Sequence, residues 1–401
     1  MTPSFVVVEH VTGEMAIEPI GPTVAHTLRA LQLPTTLFQA YAVTGTDLTP
    51  IPPWSTYDTL RASADHVVIR ALRNTLFDTI ISHDPHPTAE TVELGTGFES
   101  IVQGSDGRAE VKRSTVTPEQ ARRMVSEQVK TFVQETGTAE RGCVFGVSGG
   151  GDSNALAYGL KESLPADRLT AFTLTFRDVM TDAAADRASV LCQDLGIEHT
   201  VYTPERLAAL LGMTTSLDAF FADFGRAFGH EAVHFFGTFL ILKTARVLGQ
   251  ARAFSDLAFG YNREDLLAEL LFMVMNGHQP LEYPVRQMGG QRLVMPVWRV
   301  PKLLLDACHP AFSLENYRER DPHTTRQRSL AFYLAHSLDS AYPSFGLSLL
   351  DGMRRTFAGR FASLHYDETM DVHLTVQATP ERREMVRQIL DRHFRSGEPS
   401  H

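Results

Sequence analysis

The stretch VFGVSGGGDSNAL, residues 144–156, constrains the fold more than any other part of this sequence. Apolar residues up to Val147 predict a buried strand and the run from Asn154 predicts a helix, so the glycines form a turn between the two. A helix that begins there presents unpaired N–H groups and the positive end of its dipole to an anion. Glycines let a phosphate approach the backbone, and the hydroxyls of Ser148 and Ser153 add donors. The alternative is a helix start with flexible glycines, and the Walker ending GK[ST] is absent.

The order of residues in this turn resembles the SGGxDS signature of the PP-loop ATP pyrophosphatases, enzymes that split ATP into AMP and pyrophosphate. The matching residues are Ser148, Gly149, Gly150, Asp152 and Ser153, with Gly151 in the variable place. The resemblance implies that residues 148–153 bind the phosphates of ATP. It also implies that Asp152 is catalytic and takes part in Mg²⁺ coordination.

A second stretch, FGYNREDLLAELLFMVMNG, resembles another motif of the same family. Gly260, Asn262 and Asp265 match it, Tyr261 stands where histidine is usual, and Glu269 falls one place late. Asp265 and Glu269 are four residues apart and share one face of a predicted helix, where paired carboxylates can hold Mg²⁺ or orient a nucleophile. The alternative for this pair is a solvated helix flank. We predict that Asp265 and Glu269 are catalytic and that Gly260 and Asn262 bind the nucleotide.

Two further segments extend the resemblance to residues 144–307. MPVWRVPKLLLDA resembles the proline and lysine segment that ends the family's domain, and Pro296 and Lys302 are its matching residues. TLTFRD ends in Asp178, at the place where the second strand delivers groups near adenine. Asp178 is therefore predicted among the residues that bind the nucleotide.

The alternation of short apolar runs and helical patterns between residues 142 and 310 predicts an α/β fold with a parallel sheet covered by helices on both faces. The family resemblance makes residues 117–310 a Rossmann-like PP-loop domain. Residues 1–75 resemble the β-grasp fold of ubiquitin and of small sulfur carriers. The C-terminal Gly-Gly of those carriers is replaced by Leu72-Arg73-Asn74, so we expect a structural module or a docking surface for a protein partner. Residues 76–116 are predicted as a linker and hairpin, and residues 311–401 as a mostly helical region.

Cysteine usage separates this chain from tRNA thiolases of the family that hold an iron–sulfur cluster on a C-x-x-C motif. Cys143, Cys192 and Cys308 form no such motif, so a thiolate-bound cluster is not expected. Near the first expected cysteine stands HEAVH, from His230 to His234, which spells the zinc-protease pattern. The two histidines either bind zinc or another metal, or line the acceptor pocket as acid and base.

The acidic composition limits the classes of partner. With 47 acidic and 37 basic residues the formal charge is −10, so binding of a nucleic acid would require a local basic patch. No apolar stretch is long enough to span a membrane and the N-terminus does not read as a signal peptide, so we expect a cytoplasmic protein without a membrane partner.

The resemblance implies ATP-dependent adenylation of an acceptor oxygen, release of pyrophosphate, and displacement of AMP by a sulfur or nitrogen nucleophile. The motifs favour a tRNA base as acceptor, as in 2-thiolation. The missing cluster cysteines and the acidic charge favour the alternative, a small molecule or peptide that becomes an amide, amidine or thioamide. A zinc hydrolase that uses His230, Glu231 and His234 is a further alternative, as is a non-catalytic ATP-binding scaffold.

Overall fold

The computed structural model of the 401-residue chain describes most of the chain outside a few segments. The described residues are 5–10, 13–31, 33, 38–71, 96–103, 109–175, 182–228, 233–310, 312–313, 331–332, 334–336, 338, 345–362, 364–367, 370, 372–375 and 379–394. Among the helices that these residues form, none combines the length and the apolar character that a membrane span requires.

The first part of the chain folds into a mixed sheet with one helix across it. Its elements are β1 (Val6–His10), β2 (Gly13–Ile17), α1 (Val24–Ala30), β3 (Phe38–Thr44), β4 (Asp47–Ile51), α2 (Tyr57–Arg61) and β5 (His66–Ala71). The strand order is β2-β1-β5-β3-β4, and β1 and β5 are parallel. Val24 and Leu28 of α1 are buried with Val67 and Ile69 of β5 in one apolar cluster. These elements form an α+β unit, and its predicted resemblance to the β-grasp fold stays a prediction.

A hairpin extends this sheet. Strands β6 (Thr96–Gln103) and β7 (Ala109–Val116) pair antiparallel, and β7 joins β4 through the pair Asp47 and Lys112. The sheet of the described residues therefore has seven strands, in the order β2-β1-β5-β3-β4-β7-β6. The segment predicted as a linker thus includes an ordered edge of the first sheet.

The second sheet and the helices around it form the larger part of the described chain. Its strands and helices, in chain order, are α3 (Pro118–Thr136), α4 (Thr138–Arg141), β8 (Cys143–Gly146), α5 (Gly151–Ser163), a 3₁₀ turn (Ala166–Arg168), β9 (Leu169–Leu174), α6 (Asp182–Leu195), β10 (Glu198–Tyr202), α7 (Pro204–Leu210), α8 (Leu217–Phe228), α9 (Val233–Arg252), β11 (Asp256–Ala258), α10 (Arg263–Met275), β12 (Val285–Met288), β13 (Gln291–Val294) and α11 (Lys302–Cys308). The strand order is β10-β9-β8-β11-β13-β12. The first five of these strands run parallel, and β12 is antiparallel to β13. The predicted α/β fold with a parallel sheet is confirmed.

Burial on both faces explains why β8 and β9 are largely apolar. Every residue of β9 is buried, and Cys143, Val144 and Phe145 of β8 are fully buried. A strand that has helices on both faces cannot alternate polar and apolar residues.

The last described elements are α12 (Phe345–Thr356), β14 (Leu364–Asp367), β15 (Val372–Thr375) and α13 (Pro380–His393). The two strands pair antiparallel, which the expectation of a mostly helical region does not include. Helix α13 packs on α8, so the end of the chain lies against the domain of the second sheet.

Candidate active site

The glycine turn lies at the carboxyl end of β8, where the connections of the sheet diverge. Strand β8 has β9 on one side and β11 on the other, so the next strands along the chain lie to opposite sides of it. Open α/β sheets bind ligands in the crevice at such a switch point. Gly150 precedes the first residue of α5 and supplies no side-chain cap, so the first N–H groups of α5 have no capping oxygen from that position. The position favours an anion.

The serines of the turn close it on itself. Ser148 N–H donates to Ser153 Oγ at 3.0 Å, and the two hydroxyl oxygens are 3.1 Å apart. Gly150 N–H donates to Ser148 Oγ at 3.4 Å, and Ser153 Oγ donates to the Gly150 carbonyl at 3.1 Å. The hydroxyls of Ser148 and Ser153 therefore stabilise the turn, and their contact with a phosphate stays a prediction.

The glycines of the turn are required by their neighbours as well as by backbone geometry. Gly149 has φ +74°, and a Cβ there would lie 2.3 Å from the carbonyl oxygen of Ala184 in α6. At Gly151 a Cβ would lie 2.5 Å from Ser313 Oγ and 2.6 Å from Asp306 Oδ1. Side chains at either position would displace α6 or the segment that carries Asp306. The variable place of the signature is thus restricted to glycine in this chain.

A lysine and two carboxylates lie beside the first turn of α5. Lys302 Nζ donates to Asp152 Oδ1 at 2.9 Å and to Asp306 Oδ1 at 2.7 Å. The Asp306 side chain is fully buried, whereas 15% of the Lys302 side chain and 31% of the Asp152 side chain are exposed. Burial raises the pKa of Asp306 to about 6, the Lys302 ammonium opposes the shift, and Asp152 adds to it. The cluster places one cation and one accessible carboxylate at the mouth of the turn.

The second motif reaches the turn through Gly260. A Cβ on Gly260 would lie 3.4 Å from Asp152 Cβ, so the segment after β11 packs directly on the turn. Asn262 is the N-cap of α10 and forms a capping box with Asp265. Asp265 N–H donates to Asn262 Oδ1 at 2.9 Å, and Asn262 N–H donates to Asp265 Oδ2 at 3.1 Å. Both side chains therefore stabilise the start of α10, and their predicted roles with the nucleotide and in catalysis stay predictions.

Glu269 of α10 contacts a strand of the second sheet. Its carboxylate forms a salt bridge with Arg286 of β12, and Arg286 NH1 lies 3.3 Å from Glu269 Oε2. The guanidinium also lies over the ring of Tyr261, 5.9 Å from its centroid. The contacts given by the structure join Glu269 to β12 and not to the lysine cluster. Asp265 and Glu269 thus have separate structural roles, although the sequence groups them as one pair.

Three residues near the turn were missed by the sequence analysis. They are Asp306, Glu264, which accepts the Lys302 N–H at 2.8 Å, and Arg187, whose Nε donates to the Gly149 carbonyl at 3.4 Å. Lys302 and Asp306 stand four residues apart on a predicted helix, so their pairing had a sequence signal. Arg187 had none, because its contact joins residues 38 apart along the chain.

The remaining predicted site residues are not described by the structure. Asp178 and His230 lie outside the described residues, as does Glu231, and only the backbone of His234 is described, at the start of α9. The predictions of an adenine contact, of a zinc or other metal site and of an HExxH hydrolase therefore stay predictions. Within the described part of the chain no three His, Cys, Asp or Glu side chains form a metal-binding group.

All three cysteines are buried, on β8, α6 and α11. Burial raises the pKa of Cys143, and it raises the pKa values of Cys192 and Cys308 to about 12. The Cys308 thiol donates to the Leu304 carbonyl at 3.3 Å. Since a thiolate is the form that attacks or binds a metal, these thiols are structural.

The residues present fit a Mg²⁺ ion that arrives with a nucleotide. Mg²⁺ usually keeps several waters and binds through one or two carboxylates together with substrate phosphates. Asp152 offers one accessible carboxylate beside a helix N-terminus that favours phosphate. No larger cage of protein ligands is needed for that mode of binding.

Comparison with known proteins gives one family match. Residues 122–216, from α3 to the loop before α8, match the NAD synthase family model. No curated protein matches this sequence.

The solved structures that match this chain include a tRNA thiolase and two NAD synthetases. The U34-tRNA thiolase NcsA from Methanococcus maripaludis, solved with its [4Fe-4S] cluster, is 16% identical; the alignment covers 60% of this chain and 80% of that one with a TM-score of 0.45. The NH3-dependent NAD synthetase from Campylobacter jejuni is 15% identical over 63% of this chain and 100% of that one, with a TM-score of 0.36. The glutamine-dependent NAD+ synthetase from Acinetobacter baumannii is 12% identical over 83% of this chain and 59% of that one, with a TM-score of 0.35.

The family match includes β8, the glycine turn and α5, the elements that form the anion site. The SGGGDS sequence lies within the matched residues. Residues 122–216 are therefore similar to the NAD synthase family, and the residue order of the glycine turn within them resembles the PP-loop signature.

Proposed function

We propose that the protein activates a carbonyl, carboxyl or amide oxygen of an acceptor by adenylation. The acceptor oxygen forms a bond to the α-phosphorus of ATP, and the bond from that phosphorus to the bridging oxygen breaks. The electron pair of the broken bond leaves with pyrophosphate. A nucleophile then adds to the activated carbon, the bond to the adenylate oxygen breaks, AMP leaves, and the proton of the nucleophile passes to water or a base.

The observation that carries this proposal is the cluster of Lys302, Asp152 and the uncapped start of α5. Lys302 Nζ lies 2.9 Å from Asp152 Oδ1, so a fixed positive charge stands at the mouth of the turn. We place the β- and γ-phosphates at the N–H groups of α5, with the lysine beside them. These donors stabilise the charge that develops on the leaving pyrophosphate. Asp152 would hold Mg²⁺, which when bound supplies further neutralisation of phosphate charge.

The nucleophile comes from outside the chain. A persulfide relay requires a reactive thiolate, and the three buried cysteines with raised pKa values do not supply one. An external nitrogen nucleophile needs no such residue. An external sulfur donor also remains compatible, since it would bring its own sulfur.

For the acceptor, the cysteines and the formal charge of −10 favour a small molecule or a peptide. The proposed product is then an amide, an amidine or, with a sulfur donor, a thioamide. A tRNA base is the second candidate, and the resemblance of the segment around Gly260, Asn262 and Asp265 to the tRNA-thiolating members of the family favours it.

The test is pyrophosphate release from Mg·ATP by the full chain. The reaction is run with a panel of small carboxylic acids and amides plus ammonium chloride, and separately with unfractionated tRNA plus sulfide. We expect AMP and pyrophosphate in equal amounts in the first arm. Activity that requires tRNA would instead establish the second candidate, and release of ADP and phosphate would overturn the adenylation mechanism.

A matched pair of variants links this activity to the turn. Asp152→Ala should lower the rate by about 100-fold or more, because it removes a charged group beside the reacting phosphates. Asp167→Ala removes an exposed aspartate of the 3₁₀ turn and should leave the rate unchanged. Full activity in Asp152→Ala would refute the assignment of the site.

The first sheet is proposed as a docking unit for a protein partner. Its Trp54 side chain is 75% exposed in the segment between β4 and α2, and aromatic side chains are enriched at protein interfaces. Trp54→Ser should leave adenylation with a free acceptor unchanged, which separates docking from catalysis.

A further inference from the structure

Lys302 has a long side chain that is flexible unless its ammonium is held in place. Its four-carbon side chain has many rotamers in water, so an ammonium that serves a phosphate must be held in place. Two carboxylates on different helices hold the Lys302 ammonium in place, Asp152 of α5 and Asp306 of α11. The two differ in environment, since Asp152 is accessible and Asp306 is fully buried. Of these two carboxylates beside Lys302, a ligand can therefore reach Asp152 but not Asp306.

Asp306 is fixed in place from three sides. Its Oδ1 packs against Gly151, where an added Cβ would approach to 2.6 Å. The Ser313 hydroxyl donates to the Asp306 carbonyl at 3.3 Å, and helix α11 is anchored at its first residue by Glu264, which accepts the Lys302 N–H at 2.8 Å. The carboxylate thus has a defined position relative to the glycine turn.

A buried carboxylate at this place costs free energy unless it is paired. Removing two charges from water costs several kcal/mol, as an order-of-magnitude value, and a buried ion pair often gives little net stability. The pair of Asp306 and Lys302 is therefore poorly explained by stability. It is well explained by the direction that it gives to an ammonium at a phosphate site.

When Mg·ATP binds, the groups around Lys302 compete for it. The Lys302 ammonium donates to Asp306 and to Asp152. A phosphate and a Mg²⁺ ion would draw Lys302 and Asp152 toward new partners, whereas the buried Asp306 stays where it is. We propose that Asp306 is a positioning residue, which holds Lys302 Nζ at the start of α5 so that it meets the phosphates. This inference rests on the proposed use of ATP at the turn.

The effect of Asp306 as a nearby negative charge on ATP binding would be opposite to its effect as a positioning residue. Loss of a negative charge near a triphosphate should tighten binding of the anion. If Asp306 positions Lys302, its loss should weaken binding, because the ammonium is no longer directed at the phosphates. The sign of the change therefore separates a positioning residue from a nearby charge.

The experiment measures the dissociation constants of Mg·ATP and of magnesium pyrophosphate by calorimetry with the full chain. Asp306→Asn keeps the shape and removes the charge, and we expect binding about tenfold weaker. Lys302→Met should weaken binding at least as much. Because Asp306 acts through Lys302, the double variant should bind no more weakly than Lys302→Met alone.

The matched control is Asp256→Asn. Asp256 is also fully buried and pairs with Arg292 at 2.6 and 2.8 Å, but it lies at the amino end of β11, away from the turn. It should lower the stability and leave both dissociation constants unchanged. If Asp306→Asn does not fold, Asp306→Ala, which removes the whole carboxylate, takes its place with the same expected result.

Three results would overturn the inference or its basis. Unchanged or tighter binding by the Asp306 variant refutes positioning, as does a double variant in which the two losses add. In both cases the wild-type chain still binds Mg·ATP and the proposed function stands. If the wild-type chain binds neither Mg·ATP nor pyrophosphate, the proposed function itself fails.

Discussion

At the scale of single residues, Gly149 shows how narrowly the turn is specified. Its φ of +74° disfavours any side chain, and a Cβ would lie 2.3 Å from the Ala184 carbonyl oxygen. We expect Gly149→Ala to lower the free energy of unfolding by about 2 to 5 kcal/mol, from backbone strain and steric overlap together. Urea unfolding measures it. Gly212→Ala is the control, since Gly212 has φ +65° with no atom within 4 Å of an added Cβ, and should cost only about 1 to 2 kcal/mol. Equal losses would show that contact with α6 does not restrict the turn.

His309, directly after α11, gives the protein a pH-dependent stability. Its ring packs between Tyr158 and Phe312, with centroids 5.3 and 5.8 Å away, and Nε2 has no hydrogen-bond partner among the residues that the structure describes. Burial lowers the pKa of His309 to about 4, and the charge of Arg122 adds to the shift. The unfolded chain takes up a proton near pH 6.5 and the folded protein does not. The contribution of His309 to stability is therefore full above pH 6.5 and is lost as the pH falls toward 4.

The variant His309→Phe should remove this dependence while it keeps the ring contacts. We expect wild type to lose on the order of 1 to 3 kcal/mol relative to the variant between about pH 6.5 and pH 4. Urea unfolding of both proteins across this range measures the difference. If the difference is the same at every pH, the imidazole does not titrate in the way that its burial implies.

At the scale of elements, the sequence predicted the strand, turn and helix around residues 144–156 and the parallel sheet, because these follow from local apolar patterns and glycine placement. The roles of the carboxylates do not follow from such local patterns. Asn262 and Asp265 have the spacing of a capping box as well as that of a catalytic motif, and the structure uses the pair to begin α10. One spacing has two physical meanings, and only tertiary contacts separate them. Asp306 was missed because its burial depends on the packing of α11 against α5.

A substitution of Glu269 tests whether this residue has a structural or a catalytic role. The Arg286 side chain is only 6% exposed, so Glu269→Gln leaves a buried guanidinium without its counter-charge. We expect a loss of about 3 to 5 kcal/mol in the free energy of unfolding. Glu384→Gln, which removes the charge of an exposed pair with Arg387 on α13, is the control and should leave the free energy of unfolding nearly unchanged. Loss of activity without loss of stability would favour the catalytic role predicted from the sequence.

At the scale of the whole molecule, contacts between distant parts of the chain decide how its regions are held together. The sequence separates a β-grasp-like unit, a central α/β domain and a C-terminal region from their patterns alone. It does not show that α13 returns to α8. His393 and Asp223 pair at 3.0 Å although they are 170 residues apart, and no local pattern links them.

This contact makes the docking of α13 testable. Asp223 is buried and accepts hydrogen bonds from Arg226, Arg392 and His393. Phe220 completes the contact, with the rings of His393 and Phe394 at 5.5 and 5.6 Å from its own. Asp223→Asn removes the charge that these three cations or donors share. We expect α13 to open more easily by roughly 2 kcal/mol, which is about 30-fold faster amide exchange.

Hydrogen exchange of the full chain, followed by mass spectrometry, locates the effect. Peptides from α8 and α13 should exchange faster, whereas those from α3 and α5 should keep their protection, because the latter belong to a separate apolar cluster. Asp391→Asn, at an exposed carboxylate of α13 that lies 3.4 Å from Arg387, should change neither set. If exchange increases equally in both sets after Asp223→Asn, then α13 does not open on its own, and its contact with α8 contributes to the cooperative stability of the whole central domain.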